Sequence, residues 1–215
     1  MTTRAVIFDM DGLLLDSEVY WERARREYCA TRHCTWSPGD ELTVKGHNSL
    51  EWAAVIKDRC GLQGPLHSII DGVIDRMRAL YAAELPLLPG AVATVLALAR
   101  TYPLAIASSS PPSIIEFAMS EAGLLERFKA VVSSDDVGKG KPNPEVFLEA
   151  GGRLGVAPEE IVVFEDSSSG ILAARRAGMH VIAVPNPHYP PSDEALAASD
   201  RVLNSLTDFS PAMLP

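Results

Sequence analysis

Short apolar runs recur along this chain, and each closes on polar or acidic residues. The first, Ala5-Val-Ile-Phe8, stops at Asp9-Met-Asp11-Gly12. Four consecutive apolar residues bounded by a turn signal predict a buried strand. Beyond residue 88 similar runs return at Leu104–Ala107, Ala130–Val132, Ile161–Phe164 and His180–Val184. Helical periodicity fills 112–122, 144–155 and 168–177 between them, with Gly123, Gly155 and Gly178 where C-terminal caps belong. Near-continuous apolar strands alternating with helices predict a parallel sheet covered on both faces.

Residues 18–86 carry a different pattern. Strand-like runs are scarce, and amphipathic helical spacing dominates at Val19–Thr31, Leu50–Cys60 and Ile69–Ala83. Ser37-Pro-Gly39, Gly61-Leu-Gln-Gly-Pro65 and Leu85-Pro86 break these helices, and Leu88-Pro89-Gly90 marks the return to strand and helix. The predicted fold class is α/β, with a core of residues 1–16 and 87–215 and an all-helical insert, 17–86, placed after the first strand. Ser210–Pro215 is expected to be a loosely held tail.

At 215 residues the chain has room for one large domain, or one domain with an insert. Its net charge of −9 argues against a nucleic-acid partner, which calls for a basic face. A small anionic substrate needs only a local cation cluster and is not excluded. Cys29, Cys34 and Cys60 are an odd set without CxxC or zinc-like spacing, and are expected as reduced thiols used for packing in a cytosolic protein. No apolar run reaches the ~18 residues that span a bilayer. The longest, Ala91–Ala99, falls short, and Asp9 and Asp11 interrupt the first run where a signal peptide would be apolar. The expectation is a cytoplasmic protein with no membrane partner.

In open α/β sheets, ligands bind beyond the carboxyl ends of the strands. Asp9 and Asp11, spaced i and i+2, point to one side of an extended chain, and Gly12 permits a sharp turn after them. Two carboxylates that close raise one another's pKa unless a cation sits between them, and a hard divalent ion such as Mg²⁺ suits oxygen ligands. An ordinary Asp-Gly turn is the plainer alternative. Ser108-Ser109-Ser110, ahead of a helix, suits a phosphate or a simple N-cap. Either Lys139 or Lys141 can supply a cation, the backbone of Lys141 being constrained between Gly140 and Pro142. Glu165-Asp166 follows another strand and reads as a helix cap or as the remainder of an acidic metal site.

Taken together, Asp9-x-Asp11-Gly12, Ser108, Lys141-Pro142 and Glu165-Asp166 resemble the four ordered motifs of the haloacid dehalogenase superfamily, from Ile7 to about Val184. FDMDGLLLDSE, PLLPG, ASSSP, KPNPEVF and EDSSSG resemble its beta-phosphoglucomutase-like branch, and the helical insert looks like that branch's cap. The resemblance implies a Rossmann-like core with a mobile helical cap. It implies Asp9 as nucleophile through an aspartyl-phosphate, and Asp11 as general acid and then base. Ser108, Ser109 and Lys141 would bind phosphate. Asp9, the Asp11 backbone and Asp166 would hold Mg²⁺, with Glu165 supporting the site. Asp11 favours phosphoryl transfer over carbon–halogen cleavage.

Within the cap, the histidine and arginine that resemblance to a mutase would require fall at Trp21 and Ser49. Lys45 and His47 stand near enough to substitute. Trp21 reads as a packing residue or as a platform for a sugar-like leaving group, and DSExxW resembles sugar- or hexitol-phosphate phosphatases. Lys45 and His47 are further candidates for substrate contact, whereas His33, His67 and His188 are expected to be structural or exposed. The reading is a Mg²⁺-dependent phosphatase of small phosphorylated metabolites, sugar or polyol phosphates, acting as a monomer. A phosphoglucomutase-like isomerase and a non-catalytic binding protein are the alternatives.

Overall fold

β1 (Ala5–Phe8) lies inside a six-stranded parallel sheet in the computed structural model of the protein, which describes residues 2–44, 46–187 and 189–215. Four helices follow β1: α1 (Glu18–Ala30), α2 (Pro38–Thr43), α3 (Ser49–Arg59) and α4 (Leu66–Ala83). The chain then continues through α5 (Ala91–Leu98), β2 (Leu104–Ser108), α6 (Pro112–Glu121), β3 (Phe128–Ser133) and α7 (Ser134–Val137). It ends with α8 (Glu145–Leu154), β4 (Ile161–Glu165), α9 (Ser168–Arg176), β5 (His180–Ala183), α10 (Asp193–Ala198) and β6 (Arg201–Val202). The strand order is β3-β2-β1-β4-β5-β6, every pair parallel. β1 thus has β2 on one side and β4 on the other, which makes the β1–β4 boundary the point where the winding reverses and where α/β sheets place their ligands.

Alternation along the strands sends residues to two separate cores. Val6, Phe8, Ile106, Val162 and Phe164 pack on one face, where Phe8 and Phe164 stack at 5.0 Å between ring centroids. Ala5, Ile7, Ala105, Ala107, Val163 and Val181 pack on the other. The alanines there leave room for α8 to approach β1 and β2 closely.

Among the described residues the named elements between β1 and α5 are helices, with α4 packed on both α1 and α3. α4 turns Ile69, Ile70, Val73, Ile74, Met77 and Tyr81 inward at helical spacing. α2 departs from the reading of Ser37-Pro-Gly39 as a break. Ser37 is its N-cap, in a reciprocal capping box with Asp40, and Pro38 fills the first turn, where a missing N–H costs nothing. Where the chain leaves and rejoins the sheet region its two crossings run side by side. Asp16 N–H donates to Pro86 O at 2.8 Å and Leu88 N–H to Leu14 O at 2.9 Å.

Two further expectations are corrected. Cys34 and Cys60 are not both reduced: they form a disulfide between the loop after α1 and the end of α3, while Cys29 is a free, buried thiol. Proximity in space, invisible in the spacing, brings them together. Nor is the C-terminal segment loose. Thr3 donates to Pro215 O through both its N–H and its hydroxyl at 3.1 and 3.0 Å, and Met213 and Leu214 pack on the core. Just ahead of it, Phe209 meets Phe164 edge-on at 4.9 Å.

Candidate active site

The peptide after β1 extends its ladder by one residue, Asp9 N–H donating to Phe164 O at 3.0 Å. The Asp9 carboxylate therefore emerges at the carboxyl end of β1, beside Glu165 and Asp166 at the end of β4. One oxygen from each of these three side chains lies within 4.8 Å of the others, and all three are buried. Gly12 turns the chain at φ 86°, and a Cβ there would run into the Asp166 carboxylate. Gly170, at the start of α9, leaves the matching space for Glu165.

Lys141 enters this cluster from the loop between α7 and α8. Its ammonium donates to Asp9 Oδ1 at 2.6 Å, Glu165 Oε1 at 2.7 Å and Ala107 O at 3.1 Å, which uses all three of its N–H groups. Lys139 remains on the surface, paired with Glu145. The other oxygen of Glu165 accepts from the Asp166 and Ser167 N–H groups and the Ser167 hydroxyl. Glu165 is thus occupied in fixing Lys141 and the β4–α9 turn, leaving Asp9 and Asp166 with the less committed oxygens.

Charge in this pocket is unbalanced. Burial pushes the Asp9 carboxyl up to about 8, opposed by Lys141 and reinforced by Glu165 and Asp11. Burial, with Glu165 and Asp9 alongside, raises Asp166 well above the carboxylate range. Burial alone would lower Lys141, but Asp9 and Glu165 outweigh it and keep the ammonium protonated. One buried cation faces three carboxylates, an all-oxygen donor set that matches a hard divalent ion.

Asp11 accepts four hydrogen bonds. Ser17 Oγ (2.6 Å) and Trp21 Nε1 (3.0 Å) reach one oxygen; Ser110 Oγ (2.6 Å) and Ser108 Oγ (3.1 Å) reach the other. Ser108 also accepts from Ser110 N–H, while Ser109 turns to the helical insert and donates to Gly46 O at 3.1 Å. A cleft of about 410 Å³ is lined by Asp9, Lys141, Asp166, Ser109 and Asp11. A smaller cavity of about 80 Å³ opens on the insert side, and Asp11 lines it too. Asp11 therefore stands where the two spaces meet.

The structure thus brings Asp9, Asp11, Ser108, Ser109, Lys141, Glu165 and Asp166 to one end of the sheet. Trp21 and His47 line the smaller cavity. Lys45 and His188 lie outside the described residues, while His33 and His67 are exposed. Ser110 was read only as one of a serine run that offers no means of choosing among its members, and Ser17 has no signal of its own in the sequence. Arg25 and Glu41 were missed for another reason. They form a buried ion pair lining the same cavity, but belong to different helices with no spacing signature.

A sequence profile described as haloacid dehalogenase-like hydrolase matches residues 3–178. Hexitol phosphatase B of Escherichia coli K12 is 34% identical over 214 residues, covering 96% of this chain and 94% of its own. (DL)-glycerol-3-phosphatase 2 of Arabidopsis thaliana is 32% identical over 216 residues, covering 96% and 88%. The crystal structure of CbbY from Rhodobacter sphaeroides in complex with phosphate superposes with a TM-score of 0.83, at 27% identity and 96% coverage of each chain. A buried acidic cluster and an adjacent second aspartate at the switch point of a parallel sheet define a hydrolase-type site, and the chain belongs to the haloacid dehalogenase-like hydrolase family.

Proposed function

We propose that the protein is a Mg²⁺-dependent phosphatase of sugar or polyol phosphates, working through a phosphorylated Asp9. The observation that carries this reading is the placing of the two aspartates. Asp9 faces the larger cleft beside Lys141 and Asp166, while Asp11 stands between that cleft and a second cavity on the insert side. Phosphatase relatives named for hexitol and glycerol phosphates support the substrate class.

In this reading the phosphoryl group enters the larger cleft. Asp9 attacks phosphorus in line with the departing oxygen, and Asp11 gives that oxygen its proton. Asp11 then takes a proton from water, which attacks the aspartyl-phosphate and frees the nucleophile. Lys141 neutralises charge at Asp9, the Ser109 side chain lines the cleft where phosphoryl oxygens would lie, and the buried Ser108 hydroxyl holds Asp11. Glu165 keeps Lys141 in register. Mg²⁺ would be held by Asp9, Asp166 and the Asp11 carbonyl, and when bound would supply charge neutralisation at the phosphoryl oxygens, the main requirement of phosphoryl transfer. The 17–86 insert acts as the cap that closes the leaving-group side.

The test is phosphate release from a panel of sugar, polyol and nucleotide phosphates, with Mg²⁺ and with chelator. Release from a few sugar or polyol phosphates, lost with chelator and reduced at least about a thousandfold in Asp9→Asn, is the expected result. No release from any compound would overturn the reading, as would conversion of beta-glucose 1-phosphate to glucose 6-phosphate without net release.

A further inference from the structure

A helix leaves its first N–H groups without partners of its own. The start of α3 is closed in part by a reciprocal capping box: Asn48 N–H donates to Glu51 Oε2 at 2.8 Å, and Glu51 N–H to Asn48 Oδ1 at 3.0 Å. The Ser49 N–H is met from the sheet side instead. It donates at 2.7 Å to Oδ1 of Asp135, on α7 beyond β3. Asp135 thus sets an acid at the positive end of a helix that belongs to the insert. Just before α3, the Gly46 carbonyl accepts from the Ser109 hydroxyl at 3.1 Å. Among the described residues these are the two hydrogen bonds that join 46–51 to the sheet side.

The loop that carries Lys141 is shaped to the same segment. Gly140 is buried, and its φ is not in the left-handed region that calls for glycine. The need for glycine there is one of space. A Cβ on Gly140 would lie 2.6 Å from Gly46 O, 2.7 Å from Glu51 Oε2 and 3.2 Å from Asn48 N, all three on the insert. Gly46 in turn sits against the reaction site, since a Cβ there would come within 3.3 Å of the Lys141 carbonyl and 2.9 Å of Ser169 Oγ. Gly46, Ser109 and Lys141 all line the larger cleft. The stretch 135–141 therefore meets the insert at its first residue and Asp9 at its last.

We propose that Asp135 and Gly140 are positioning residues that seat the 46–51 edge of the insert on the cleft: Asp135 holds the first turn of α3, and Gly140 admits the Gly46 backbone beside Lys141. For what the seat serves, the placing of substrate against Lys141, this rests on the phosphatase reading above. The insert also packs on the sheet side through α4 and α6. Losing the seat therefore frees the 46–51 edge and leaves the insert attached. The hold on that edge leans on a charge-assisted hydrogen bond, the Ser49 N–H to the Asp135 carboxylate, which makes it sensitive to a single substitution.

The experiment reads hydrogen exchange of the Ser49 amide by NMR, with phosphate release from glycerol 3-phosphate alongside, in wild type, Asp135→Ala, Asp135→Asn and Gly140→Ala. Removing the acceptor, or setting a methyl against Gly46, should speed Ser49 exchange at least about tenfold while amides of β1, β2 and α4 keep their wild-type rates. Asp135→Asn retains an oxygen acceptor and should stay within about threefold of wild type. KM for glycerol 3-phosphate should rise at least about fivefold in the two alanine variants and not in Asp135→Asn. Ser49 exchange at the wild-type rate in either folded alanine variant would overturn the seat. So would a rise shared by β1 and β2, the mark of general destabilisation, or a KM unchanged alongside faster exchange. Gly140→Ala carries the test alone if Asp135→Ala does not fold. A wild type that releases no phosphate would count against the phosphatase reading, while exchange would still decide whether the seat exists.

Discussion

The indole N–H of Trp21 meets Asp11 Oδ1 at 3.0 Å, and its ring packs against the Arg25 guanidinium. The sequence suggested a packing residue or a platform for substrate. The structure gives it a third relation, a donor fixing the carboxylate that serves both cavities. Trp21→Phe keeps a ring for Arg25 and removes only the donor. Its kcat is expected to fall about tenfold, the worth of one hydrogen bond to a charged acceptor, with the melting temperature little changed. A melting temperature that drops while kcat holds would mean that the side chain only packs. Burial also pushes the Cys29 thiol up to about 11, against the pull of Arg32. The folded chain then keeps a proton that the unfolded chain gives up near its ordinary value of 9.0. The stability this confers is fully present below that value and is lost as pH climbs toward 11. Melting curves from pH 8 to 11 should therefore fall more steeply for wild type than for Cys29→Ala, and parallel slopes would refute the link. Asp9 and Asp166 stood out in advance because each follows an apolar run, whereas Lys141 was separated from Lys139 only by the resemblance and not by local pattern. Arg25 and Glu41 did not stand out, because only the packing of separate helices makes them neighbours.

At the scale of elements, the buried strands were legible wherever an apolar run was long enough to stand out. β1, β2, β4 and β5 fall on the expected runs within a residue or so. β3 extends beyond its apolar centre, as its partly exposed positions allow, and β6 is two exposed residues with no pattern to find. α5 was noticed only as an apolar stretch. It buries Ala91, Thr94, Val95 and Leu98, and its lack of a polar face hid its periodicity. α2 was concealed by Pro-Gly, a pair that breaks helices in their interior but is tolerated at their start. The Cys34–Cys60 bond likewise depends on how α1 and α3 lie together, information that no count of cysteines holds.

Across the whole molecule, the last residues close the sheet's hydrophobic face. Phe209 covers Phe164 edge-on, and Pro215 O accepts two bonds from Thr3. Deleting 209–215 uncovers an aromatic ring and part of the core, and is expected to lower stability by about 2–4 kcal/mol. Urea unfolding measures this, and a change under about 1 kcal/mol would show the segment to be dispensable. The paired crossings at 14–16 and 86–88 have a different consequence. Because the insert leaves and returns through one narrow seam, its two ends are neighbours, and the pairings of β1 with β2 and β4 are made by residues outside it. Seventy or so residues are therefore mounted like a lens on a camera body, but Ser17 and Trp21 at the mount hold Asp11, so an exchanged insert would have to restore those two donors.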